Sequence, residues 1–358
     1  MFLHQDLAIT ATYYMSNRDK NMFLSTSRKM YCLKTMVWFN EPVSYYGNTD
    51  VPYADRFTSM RDLHPSCANL LSKNVKKVTF SCIIGDIKAA DRFLTHIEDI
   101  RFDNSSQQKS VMPLLPNIKR VTFAPSYNNS IENYFHPEIE FIHFGNEFNQ
   151  PVDGLLPENV QEIIFGDNFN QPIKHFPSGL KRITFGYYFD KKIKYLLPEQ
   201  IEYVKFGMKY VHSIENIFPH NTRCIKFGDK FNQPLDGHLP HGLKNIAFGK
   251  KFLNLTPNTI PNGVNKVKFG FVIKHSISGY IPSSVTHITL KFPNISHALI
   301  ATMWELPQTV THLKLARFEP RMYSNKYKTK LIDIPLNIPP WINNVTYQGL
   351  RFIVNQKQ

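Results

Sequence analysis

The sequence predicts a β-rich repeat solenoid with a parallel sheet, and three observations predict it. A phenylalanine recurs every 20 to 22 residues, at Phe80, Phe102, Phe123, Phe144, Phe165, Phe185, Phe206, Phe227, Phe248 and Phe269, with Leu290 taking the next place. Apolar residues stand five and two positions before it, as in Val75 and Val78, Ile118 and Val121, Val160 and Ile163, or Ile201 and Val204. Proline and glycine keep the same period on either side. A period of this length marks stacked supersecondary units rather than a single folded core.

Each column has a physical role. The last two apolar positions, as in Ile163-x-Phe165, alternate with period 2, so both side chains face the same side of a short strand. A rung so short cannot bury that face alone, but stacking at ~4.8 Å lets its backbone pair with neighbouring coils and its rings form a ladder. Only Thr222 breaks the column five residues before the marker. The frame continues through Val310-x-x-Leu313-x-Leu315 and Ile342-x-x-Val345-x-Tyr347 after longer gaps, which predicts 13 rungs in one sheet over residues 75–347. Proline precedes the strand at Pro116, Pro137, Pro157, Pro177, Pro198 and onward to Pro307. It lacks an N–H and suits a corner rather than a central ladder. Glycine follows the marker at Gly145, Gly166, Gly186, Gly207, Gly228, Gly249 and Gly270, where it is expected to permit the bend leaving the strand. A Phe-Asn-Gln-Pro element at 148–151, 169–172 and 231–234 places an amide side chain where it can bond the bare backbone of an adjoining turn.

These residues resemble the FNIP repeats of social amoebae and of giant viruses that infect amoebae, which look like relatives of leucine-rich repeats. The resemblance covers residues 73–315, and 316–358 reads as an irregular last repeat with a C-terminal cap. Some copies depart from it, as with Phe189-Asp190-Lys191-Lys192 and Tyr210-Val211-His212-Ser213 at the corner. The resemblance implies a leucine-rich-repeat-like solenoid that binds protein. Residues 1–36 resemble a degenerate F-box, a small helical module, with Leu3-His4 where the usual Leu-Pro opens it. That resemblance implies docking to the Skp-type adaptor of a cullin ubiquitin ligase through Leu3, Leu7, Ile9, Phe23 and Leu24, the chain itself supplying substrate recognition. The same segment could instead cap the exposed end of the solenoid. Residues 37–72, with Pro42, Gly47, Pro52 and Pro65, read as an irregular connector.

Composition narrows the function. The net charge is +14, of which residues 1–72 carry +1, leaving +13 on the repeats. Such a balance favours an acidic partner or a nucleic acid. The aromatic residues are committed to the core by their period, which leaves few to stack on bases and argues against nucleic acid. Cys32, Cys67, Cys82 and Cys224 form no C-x-x-C pair. With no signal-like N-terminus and no membrane-length apolar run, a cytoplasmic chain is expected, in the host cytoplasm if the source is viral. His287 and His312 hold equivalent places in successive rungs, and the sequence carries no H-E-x-x-H, Walker or G-x-S-x-G motif. Neither an enzyme nor a cofactor or metal site is expected.

The informative positions are the outward ones. They vary from rung to rung over a constant core, which is how a solenoid face reads a partner. Phe141, His143, Arg182, Tyr203, Lys205, Lys226, Lys266 and Lys268 are the candidate partner-binding residues.

Overall fold

A computed structural model describes residues 43–44, 59–63, 75–80, 96–102, 117–194, 196–273, 276–292, 297–317, 338–347 and 350–353. The helical module expected over residues 1–36 lies outside them, together with Leu3, Leu7, Ile9, Phe23 and Leu24. The chain divides into two units, Met1–Phe169 and Asn170–Gln358.

In the first unit the strands are β1 (Val43–Ser44), β2 (Ser59–Leu63), β3 (Lys77–Phe80), β4 (Asp99–Phe102), β5 (Arg120–Thr122), β6 (Phe141–His143) and β7 (Glu162–Ile164). Each pairs in parallel with the next, and β4 to β7 run in strict register through Ile100, Val121, Ile142 and Ile163. β1 and β2 fall within the stretch read as an irregular connector. They escape the repeat frame because they lack its phenylalanine marker: Met60 pairs with Val78 and Leu63 with Phe80 only after a register shift.

The second unit holds β8 (Arg182–Thr184), β9 (Tyr203–Lys205), β10 (Cys224–Lys226), β11 (Asn245–Ala247), β12 (Lys266–Val272), β13 (His287–Phe292), α1 (His297–Trp304), β14 (His312–Arg317), β15 (Asn344–Tyr347) and β16 (Leu350–Ile353). β8 to β15 are parallel and in order. Both units are therefore parallel β-solenoid, as the period predicts. The longer gap before Leu315 contains α1, whose Leu299 and Met303, four residues apart, are buried together. β16 turns back and pairs antiparallel with β15, so the last parallel rung has its outer backbone edge covered.

The core is two aromatic ladders. Marker rings stack between coils, with Phe123, Phe144 and Phe165 at centroid steps of 5.3 Å and planes within 5°. In the second unit Phe206 and Phe227 are 5.6 Å apart and Phe248 and Phe269 5.5 Å. The rings that open the corner elements form a second ladder, Tyr127, Phe148 and Phe169 in the first unit and Phe189, Tyr210, Phe231 and Phe252 in the second, at 6.1–6.4 Å. Within a coil the two ladders touch, as at Phe144 and Phe148, 4.1 Å apart. Such rings add stacking of ~0.5–1.5 kcal/mol per pair to the area they bury.

The corners work as the sequence suggests in one case and differently in another. The amide relay is present: Asn232 Oδ1 accepts the Leu253 N–H at 2.7 Å, and the Asn254 side chain donates to the Asn232 carbonyl at 2.7 Å. Asp190 keeps the acceptor role in a departing copy, taking the Val211 N–H at 3.1 Å, while Gln233 donates to the Val211 carbonyl at 2.8 Å. Proline opens a turn whose carbonyl accepts the N–H three residues on, as from Pro198 to Ile201 at 2.9 Å, and Pro339 does the same for Ile342 in the last copy.

The glycine column acts by another mechanism than the expected bend. Positive φ occurs instead at Gly154, Gly237, Gly263 and Gly279, and at Asn133 and Asn216. At Gly145, Gly166, Gly207, Gly228, Gly249 and Gly270 an added Cβ would fall closer than 3.0 Å to backbone of the preceding coil. Glycine is there because successive coils touch, not because the chain must bend.

Thr222, the break in the apolar column, is fully buried, and its Oγ1 has no hydrogen-bond partner among the described residues. Thr222→Val keeps the shape and removes an orphaned hydroxyl. Thermal melting should show a gain of about 1 kcal/mol. A loss would mean that water satisfies the hydroxyl.

Candidate partner-binding face

Strand register decides which outward residues meet. In β9 and β10, Val204 and Ile225 point inward, so Tyr203 lies beside Cys224 and Lys205 beside Lys226. The same alternation runs through every rung, giving two outward columns.

The first unit's face is mixed in charge. Asp99 is 3% exposed and paired with Arg101 at 3.4 Å and Arg120 at 3.8 Å. The Arg120 guanidinium also lies over the Phe141 ring, 3.9 Å from its centroid. Phe141 is consequently buried and presents little ring to a partner. His143 is half-buried, and burial, reinforced by Arg101 and opposed by Glu162, holds its pKa below the ordinary imidazole value.

The second unit's face is basic. Over β8 to β15 the two columns carry Arg182, Lys205, Lys226, Lys266, Lys268 and Lys314 and neither Asp nor Glu. The sequence places four of these lysines together, and register does bring Lys205 beside Lys226, whereas Ala247 separates Lys226 from Lys268. All six cations are exposed. The Tyr203 ring lies under the Arg182 guanidinium at 4.4 Å and near the Lys226 ammonium at 5.0 Å.

A groove of about 510 Å³ follows this face from β10 to β15. Its rim combines Lys226, Lys266, Lys268 and Lys314 with the amides of Asn245 and Asn344. His287 and His312 also line it, their rings stacked 4.1 Å apart. Thr286 Oγ1 donates to Asn265 Oδ1 at 2.6 Å and therefore accepts from His287 Nδ1 at 2.8 Å. Burial, with His312 and Lys266 beside it, pushes the His287 pKa down and favours the neutral ring. Burial likewise raises the Cys224 thiol, which stays protonated and suits neither metal binding nor nucleophilic attack. The face thus offers cations and amide donors.

The sequence reading omits Lys314, Asn344 and the two histidines from its candidate set. All four carry the frame and were findable by it, Asn344 standing three residues before Tyr347 as His312 stands before Leu315.

Comparison with known proteins agrees with the repeat frame. The family model described as FNIP Repeat matches residues 127–168, 148–176, 169–209, 212–251 and 254–292. Among solved structures, CroV588, described as a novel circular LRR protein, is similar over 87% of this chain with 23% identity and a TM-score of 0.60. The match spans 45% of that chain, and at this identity it shows the fold alone. The pneumococcal vaccine antigen PcpA aligns over 79% of this chain and 85% of its own at 10% identity, but its TM-score of 0.22 carries no argument. No curated protein matches by sequence. Between residues 127 and 292 this chain thus carries five overlapping matches to the FNIP Repeat model, on a parallel β-solenoid whose fold is similar to that of a leucine-rich-repeat protein.

Proposed function

We propose that the chain is a protein-binding scaffold serving as the substrate-recognition subunit of a cullin-type ubiquitin ligase. The observation that supports protein capture is the contrast between columns: inward positions repeat the same apolar residues, while outward positions vary along the stack and most of them are at least partly open to solvent. A constant scaffold with a variable, accessible face is suited to reading one partner surface. The ligase role is supported by the likeness of residues 1–36 to an F-box, through Leu3, Leu7, Ile9, Phe23 and Leu24. In this reading the chain performs no chemistry. It holds a protein and brings it to an enzyme.

A pull-down tests it. Full-length protein is expected to retain a Skp-type adaptor under conditions where an established F-box protein does. The double variant Leu7→Asp, Leu24→Asp is expected to lose the adaptor while its thermal melt stays unchanged, because the rungs are stabilised by their neighbours. Failure of the unmodified chain to recover any adaptor would remove the ligase role and leave a stand-alone interaction scaffold. A lower melting temperature in the double variant, with no adaptor in either sample, would identify residues 1–36 as an end cap.

A further inference from the structure

We infer that the groove along β10 to β15 is a binding site for an acidic, extended segment of a protein partner. The inference deepens the protein-binding reading and rests on it. Three observations carry it.

The first is charge. Lys226, Lys266, Lys268 and Lys314 rim the groove, and the two outward columns of β8 to β15 hold no carboxylate. Among the described residues no ion pair joins these four lysines, or Lys205 beyond them, to an acidic side chain. Lysines ordered along parallel rungs repel one another, so the face is electrostatically incomplete until a polyanion neutralises it. Neighbouring surface is basic as well: Lys291 has its pKa lowered by burial and then by Lys250, with Lys268 contributing.

The second is shape. A volume of about 510 Å³ that extends over successive rungs, rather than closing into a cavity, accommodates a few residues of chain laid across the strands. Asn245 and Asn344 supply amides for a peptide backbone, and Ala247 leaves room in the floor where its neighbours in the column carry lysine.

The third separates polypeptide from nucleic acid. Binding of single strands relies on aromatic rings that stack with bases. Tyr203 is the one Phe, Tyr or Trp in these columns, and its ring is occupied by Arg182 and Lys226. The rings of the two ladders are buried, and the exposed rings of Tyr188 and Trp304 lie outside these columns. Carboxylate side chains need only the ammonium groups and amides that are present.

The experiment uses the full chain and a short fluorescent Glu-rich peptide. Its references are the same peptide with Gln for Glu and a single-stranded DNA of equal charge. Anisotropy titrations compare the unmodified chain with Lys266→Gln, Lys268→Gln and with Lys191→Gln, Lys192→Gln, which removes equal charge from an exposed corner. The acidic peptide is expected to bind in a salt-dependent manner. It should weaken by about tenfold or more in the groove variant and stay nearly unchanged in the corner variant. Zero-length carbodiimide coupling on the unmodified chain gives a measurement independent of any variant's folding. Peptide carboxylates should become joined to Lys226, Lys266, Lys268 or Lys314. Equal weakening in both variants, coupling mainly to corner lysines, or no binding by the folded chain would overturn the acidic site. Preference for the Gln peptide on the same face would overturn the acidic class and keep protein binding. Tighter binding of the DNA would overturn both.

Discussion

Gly228→Ala should unfold the coils around it, with a destabilisation of about 3 kcal/mol or more, near the upper end of what overpacking produces. The added atom is a single Cβ, yet it would sit closer than 3.0 Å to the carbonyl oxygen and carbon of Gly207 and to Met208 Cα. These are backbone atoms, so no flexible side chain can swing aside. The backbone cannot retreat cheaply either, since the Lys230 N–H donates to the Met208 carbonyl at 3.0 Å just beyond the contact. Inter-coil spacing is shared with the strand ladder, where Ile225 pairs with Val204, and widening it at one corner strains the rung. Urea or thermal unfolding followed by circular dichroism measures the effect. Gly154→Asn provides the contrast: Gly154 has φ 72° with open space around its missing Cβ, and Asn133 and Asn216 adopt similar angles. That variant should cost less than about 1 kcal/mol. Equal, small effects at both sites would refute the close-stacking role of the glycine column.

Phe144→Ala should be comparably damaging, at about 3–5 kcal/mol, because it deletes a fully buried ring from the junction of both ladders. Phe144 stacks on Phe123 and on Phe165 at 5.3 Å each and on Phe148 at 4.1 Å. Phe135 meets it edge-on at 6.4 Å, so four rings lose a neighbour at once. The surrounding coils are held in place by their own backbone ladder and cannot collapse into the void. Because each coil contacts mainly its neighbours, the damage should centre on the rungs from Phe123 to Phe165 rather than spread evenly. Hydrogen exchange should show protection lost first at Val121, Ile142 and Ile163, and the thermal transition should broaden. Phe144→Leu, which retains most of the volume, should lose distinctly less. Uniform loss of protection over all rungs would contradict nearest-neighbour stabilisation.

The partner-binding face shows how far residue pattern carries. Lys266 and Lys268 are outward because Val267 and Phe269 are inward, and alternation on a strand admits no other arrangement. Phe141 satisfies the same rule but is covered by Arg120, a contact set by rotamers on two strands and invisible to period. β15 pairs in register with β14 although their markers stand 32 residues apart, as the frame extends; that Asn344 and Thr346 line the groove comes from the fold.

The sequence by itself determined the rung frame, the inward and outward columns, the phenylalanine ladder and the structural role of the corner amides. It could do so because a solenoid's main contacts fall between residues one period apart, so that sequence spacing is nearly spatial adjacency. Tertiary structure alone decided why the glycines are needed, where the second ring ladder runs, that Asp190 substitutes for asparagine in the relay, and that α1 fills a long gap. Those depend on how closely coils approach and which side-chain conformers fit between them. A period names the neighbours of each residue; the distances between them come from packing in three dimensions.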